Sequence, residues 1–220
     1  MDLQMNDAPT SRRDDYIKSH IGICGTGRSG TTLLVRIFHS AGLDTGFTRE
    51  QIDETEKHVS RAGLERRANR KSAASLPDIV KSPTLHLWAS RGIKEGWLKF
   101  DLIIVPIRDI DNVLSSRTYV SIMSIRDYLS GQKSRGGYFG GIQNIFSQRR
   151  VLLETFFHNI SMAVDHRIPI TFLSFPRFAR DEQYFVETLG PVLETMRGMD
   201  SAVLREAHRR ECNQDYIRHS

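Results

Sequence analysis

One string in this chain combines residue types and spacing suited to holding an anion: Gly25-Thr-Gly-Arg-Ser-Gly-Thr-Thr32. Its glycines allow a tight turn and let the backbone come close to a ligand. If a helix starts at its end, unpaired backbone N–H groups point at the bound group, and the helix terminus favours negative charge. Arg28 adds a full positive charge inside the turn. The same string without a ligand would be a plain strand-to-helix turn, so the flanking segments decide between the two readings.

Those segments have the required pattern. Ile21-Gly-Ile-Cys24 is a short apolar run that predicts a strand. Residues 31–41 place Leu33, Leu34, Ile37, Phe38 and Ala41 on one helical face, and Gly42 follows as a left-handed stop. Pro77–Val80 predicts a second strand and Leu102–Val105 a third, which leads into a helical stretch from about Ile110. Residues 142–165 show helical spacing, and Ile168 to Phe175 predicts a fourth strand. Phe185 to Leu189 begins a helix that Gly190-Pro191 is expected to end or bend. This alternation predicts an α/β fold with three layers, α/β/α, around a central parallel sheet of about five strands. In such sheets ligands sit outside the carboxyl ends of the strands, which here means just after Cys24, Val80, Val105 and Phe172. Arg61–Ala74 and Ser130–Gly141 are expected to be surface excursions, the second a candidate lid.

Composition sets outer bounds. The chain has 220 residues and a net charge of +5, from 31 Lys and Arg against 26 Asp and Glu. Hydrophobic residues make up 39% and charged residues 26%, which excludes disordered and collagen-like classes and allows a buried core. Residues 1–15 are polar and expected to form a flexible arm, leaving 16–220 as a single domain. No apolar run approaches the roughly 20 residues of a membrane helix. The first residues do not have the pattern of a secretory signal. Cys24 and Cys212 cannot form a disulfide framework, and no compact cluster with metal-ligand spacing is present, so no metal is expected. These features predict a cytoplasmic protein with an anionic small-molecule partner and neither a membrane nor a nucleic-acid partner. They leave the oligomeric state open.

The spacing Gly25-x4-Gly30 matches the ATPase loop G-x-x-x-x-G-K-[ST], except that Thr31 occupies the lysine position. Thr31 cannot reach the β- and γ-phosphates as that lysine does. The string Arg28-Ser29-Gly30-Thr31-Thr32-Leu33-Leu34 instead resembles the 5′-phosphosulfate loop of the sulfotransferase family, [K/R]-S-G-T-T followed by apolar residues. The resemblance implies a P-loop NTPase-like fold. It also implies transfer of a sulfuryl group from 3′-phosphoadenosine-5′-phosphosulfate (PAPS) to a hydroxyl or amine of a small-molecule or carbohydrate acceptor, with 3′,5′-ADP as product. Arg28, Ser29, Gly30, Thr31 and Thr32 would hold the 5′-phosphosulfate. The family binds the donor's 3′-phosphate with an arginine and a serine eight residues later, here Arg108 and Ser116, with Ser115 adjacent. Lys81, before Ser82-Pro83, matches a family lysine that acts on the transferring group. Some members use a glutamate about 20 residues past the basic loop residue as base; Glu50 falls there, with Asp53 and Glu54 close behind. Other members place a histidine two residues after the lysine, where this chain has Pro83, and His86 reads as surface or packing.

The resemblance runs from Ile21 to about Arg117 and weakens afterwards. The C-terminal basic-glycine segment of animal cytosolic members is missing. Arg205, Arg209, Arg210 and Arg218 are the late residues available for phosphate contacts. Two other classes remain open. One is a P-loop kinase or nucleotide hydrolase with a degenerate loop, binding Mg²⁺ at Asp109, which otherwise reads as a helix N-cap. The other is a non-catalytic protein that binds RNA or another anion through its basic surface.

Overall fold

The computed structural model describes residues 17–56, 63–129 and 147–212. Residues 1–15, expected as an arm, and Ser130–Gly141, expected as a lid, lie outside them.

The chain opens with β1 (Ser19–Ile23), turns through the glycine loop, and enters α1 (Thr31–Ser40). The helix ends where its apolar face ends: Gly42 adopts φ +86° just after it, as its position predicts. Helix α2 (Arg49–Glu56) precedes β2 (Ile79–Lys81), α3 (His86–Lys94) and β3 (Lys99–Ile107). Helix α4 (Ile110–Leu129) follows β3, then α5 (Gln148–Asp165) and β4 (Ile170–Ser174). Helices α6 (Arg177–Arg180), α7 (Glu182–Arg197) and α8 (Ser201–Glu211) complete the described chain.

The strands form one parallel sheet in the order β2-β1-β3-β4. Four strands are present among the described residues, where about five were expected. Among the described residues the chain does not return to the sheet after β4. It stays helical, and Leu204 and Ala207 of α8 pack into the same core as α1.

Successive strand residues face opposite sides, and this alternation builds the two cores. Ile21, Ile23, Leu102, Ile104 and Leu173 face a layer containing α1, α7 and α8. Val80, Ile103, Val105 and Phe100 face α3 and α5. Gly22 is required for this packing, because a Cβ there would lie 2.6 Å from the Ile103 side chain.

One expected boundary moves. Helix α7 runs through Gly190-Pro191 to Arg197 and stops at Gly198, φ +61°. Proline within a helix costs about 3 kcal/mol. Burial of Phe185, Val186, Leu189 and Leu193 along one face outweighs that cost. Gly190 lets α8 approach closely, since a Cβ there would lie 2.8 Å from Ser201 Oγ.

Arg61–Ala74, whose described part starts at residue 63, lies mostly at the surface as expected, but it is anchored. The Arg66 N–H donates to the Lys81 carbonyl at 2.9 Å, extending the outer edge of β2, and Leu64 is buried in the core. No helix among the described residues is long and apolar enough to cross a membrane.

Candidate functional site

From β1 the chain crosses to β2 on one side and later to β3 on the other. A crevice therefore opens between the carboxyl ends of β1 and β3. The glycine loop occupies it. Gly25 (φ +130°), Arg28 (φ +76°) and Gly30 (φ +86°) take left-handed backbone. Alternation of this kind curls successive N–H groups inward into an anion-binding concavity. Gly30 precedes α1 and no side chain caps the helix, so the first-turn N–H groups open into the crevice. Gly30 could not be replaced easily: a Cβ there would lie 2.6 Å from the Phe175 ring.

Arg108 extends from the end of β3 and donates from Nη1 to the Arg28 carbonyl at 3.0 Å. Its guanidinium also lies over the Phe175 ring, 5.3 Å from the centroid. Burial holds its pKa below the ordinary arginine value, partly offset by Asp109. Ser116 lies about two turns into α4. Its Oγ accepts from Arg28 Nε at 3.0 Å, whereas Ser115 is exposed. Loop, strand end and helix thus bring Arg28, Arg108 and Ser116 together.

The loop's own hydroxyls divide their tasks. Ser29 is buried and its Oγ donates to the Thr26 carbonyl at 2.5 Å, which holds the turn. Thr31 is buried at the start of α1. Thr32 Oγ1 accepts from Lys81 Nζ at 3.0 Å. The cation that Thr31 displaces from the loop sequence therefore arrives from β2.

Lys81 also donates to the Gly63 carbonyl and faces the Glu65 carboxylate at 4.0 Å. Its residue exposure is only 2%. Burial is the main cause of a pKa lowered to about 8; Arg28 lowers it further, and Glu65 opposes the shift. Next to it, the buried Ser82 Oγ has no hydrogen-bond partner among the described residues.

Several expected residues lie elsewhere. Glu50 is exposed in the first turn of α2, and its pKa is lowered mainly by its hydrogen bond with Thr48. The adjacent Arg49 donates to Ser40 Oγ at 3.3 Å and to Glu211 Oε1 at 2.5 Å. Ser40 ends α1, about 14 Å along the axis from Thr31. Glu50 is thus at the far end of α1 from the loop. Asp53 pairs with Arg49 at 2.9 Å, and Glu54 is exposed on the same short helix. Among the described residues after α2, the chain next approaches the loop at residues 63–66. His86 turns towards α5: its Nδ1 lies 3.0 Å from Asn159 Oδ1. Asp109 accepts from the Asn112 N–H at 2.9 Å and so caps α4. Arg205 and Arg209 both bind Glu182, Arg210 is exposed on α8, and Arg218 lies outside the described residues.

Two contributors escaped the sequence reading. Arg117 is buried beneath the loop, with Nη2 only 2.9 Å from where a Cβ on Gly27 would sit. Its place directly after Ser116 was the available signal. Glu65 was hidden in a run of basic residues and read as part of a solvated segment.

Around the loop N–H groups the site gathers three cations and one hydroxyl, chemistry suited to anions. Lys81 meets the loop at Thr32, and Arg28 joins Arg108 and Ser116. Compared with known proteins, the chain matches no family model, no curated protein and no solved structure.

Proposed function

We propose that this protein transfers a sulfuryl group from PAPS to a hydroxyl or amine acceptor, using a P-loop NTPase-like fold. One observation carries the reading: Arg28, Arg108 and Ser116 converge from three elements through hydrogen bonds of 3.0 Å. A nucleotide with anions on both sides of one ribose needs two such neighbouring positions. Arginine suits them because its planar fork binds a phosphate through paired hydrogen bonds.

The loop N–H groups of residues 29–32 and Arg28 hold the 5′-phosphosulfate. Arg108 and Ser116 hold the 3′-phosphate. Lys81, fixed on Thr32, stabilises negative charge as it develops on the oxygen bridging sulfur and phosphorus. Charge placed in advance by a buried cation acts strongly, because little water screens it. The acceptor then needs alignment with the breaking bond and loss of its proton.

The kinase alternative lacks a loop lysine at Thr31, and the Asp109 carboxylate caps a helix. The test is incubation with labelled PAPS and a metabolite extract, followed by mass analysis. The reading expects sulfated products and 3′,5′-ADP from the wild type and none from Arg28→Ala. Absence of both products from the wild type would overturn it.

A further inference from the structure

We infer that Glu65 is the base that takes the acceptor's proton, an inference that rests on the sulfuryl transfer proposed above. The backbone holds this residue in place. Gly63 (φ +132°) and Leu64 (φ +56°) form a left-handed kink just before it. A non-glycine residue rarely adopts that conformation, because its Cβ crowds the neighbouring carbonyl oxygen. Burial of the Leu64 side chain in the core with Ile52 and Ile79 holds the kink. Immediately after Glu65, the Arg66 N–H is fixed to the Lys81 carbonyl. Glu65 is therefore pinned on both sides, with its carboxylate 4.0 Å from Lys81 Nζ.

Its chemical state fits the task. Among the described residues no hydrogen bond reaches its carboxylate, so its lone pairs remain open to a substrate hydroxyl. Its side chain is 44% exposed, which gives an acceptor access and lets the proton pass on to solvent. Lys81 beneath it contacts Thr32 of the loop, so base and sulfuryl site share one cation.

In the step, the acceptor O–H gives its proton to a Glu65 oxygen. The freed oxygen pair forms the new bond to sulfur. The bond from sulfur to the bridging oxygen breaks, its electron pair stays on the 5′-phosphate, and 3′,5′-ADP leaves. Among the described residues Lys81 on β2 faces the Glu65 carboxylate, Arg66 and Arg67 follow it in sequence, and Arg28 acts on Lys81 from the loop.

Glu65→Gln tests the assignment, with ³⁵S-labelled PAPS as donor and both water and a metabolite extract as acceptors. Transfer is expected to fall at least about 100-fold, the usual scale for losing a positioned base. Glu65→Asp is expected to recover part of the rate. Binding of 3′,5′-ADP, measured by calorimetry, is expected to change less than about threefold, which separates a chemical role from a structural one. Wild-type transfer by Glu65→Gln would overturn the inference while leaving the donor reading intact. A wild type that binds 3′,5′-ADP but transfers to neither acceptor overturns the transfer reading and the inference with it. A wild type that neither binds 3′,5′-ADP nor transfers overturns both.

Discussion

Lys81 makes anion binding depend on pH in a calculable way. Its pKa is lowered from 10.5 to about 8, chiefly by burial. That difference is about 3 kcal/mol at 1.36 kcal/mol per unit. In the free protein the folded state releases this proton near pH 8, while the unfolded chain keeps it until about 10.5. Between those values the unfolded chain binds more protons, so stability of the free protein rises with pH. Below about pH 8 the full penalty of the buried ammonium is present.

A phosphosulfate or phosphate at the loop reverses the preference, because an adjacent anion favours the charged lysine. Binding then requires Lys81 protonated. The association constant for 3′,5′-ADP is expected to be flat below about pH 7.5 and to fall almost tenfold per pH unit above 8. The total loss approaches about 300-fold if the bound pKa returns to its ordinary value. Titration calorimetry between pH 7 and 10, in buffers of different ionisation enthalpy, measures both the slope and the proton taken up. Lys81→Met is expected to bind weakly with no slope over this range. The buried Cys24 thiol and the half-buried Cys212 thiol, both raised to about 12 chiefly by burial, contribute no titration there. An affinity independent of pH from 7.5 to 10, or an unchanged slope in Lys81→Met, would refute the reasoning.

Ser116→Ala should weaken 3′,5′-ADP about tenfold, the scale of one hydrogen bond to a charged group, while Ser115→Ala leaves calorimetric affinity unchanged. Gly30→Ala should destabilise the fold by at least about 2 kcal/mol in urea denaturation, through left-handed strain and collision with Phe175. Glu211 is buried and accepts from Arg36, Ser40 and Arg49, tying α8 to α1 and α2. Glu211→Gln should therefore cost about 3–5 kcal/mol in the same assay, because Arg36 stays buried without its counter-charge. Burial pushes the Glu211 pKa up, but those hydrogen bonds outweigh it and leave it lowered. Its contribution is complete above the unfolded carboxylate pKa of about 4.3 and disappears as pH falls through the lower folded value, which an acid-denaturation series will detect.

The strand alternation and the glycine loop were legible because each depends on local signals. Apolar runs mark β1 to β4, and Gly25, Gly27 and Gly30 mark a backbone that must turn and approach closely. Arg108 and Ser116 were singled out by the family resemblance, and the strand end and following helix predicted around them do bring both to the loop. What depends on distant packing was not legible. Pro191 stays helical because buried neighbours on α7 outweigh its local preference. Glu65 reaches the site through a kink stabilised by burial of Leu64 and by pairing with β2, and nothing in the surrounding basic run signals that path. Glu50 has the expected chain separation from Arg28, but α2 begins at the far end of α1.

The most direct test compares 3′,5′-ADP, 5′-AMP and Mg-ATP by calorimetry on the wild type and on Arg108→Ala. Two anion positions flanking one ribose predict 3′,5′-ADP tighter than 5′-AMP by at least about 100-fold, the scale of a charged bidentate contact, with the gap closed in Arg108→Ala. Equal affinities for 3′,5′-ADP and 5′-AMP, or binding of Mg-ATP alone, would contradict it.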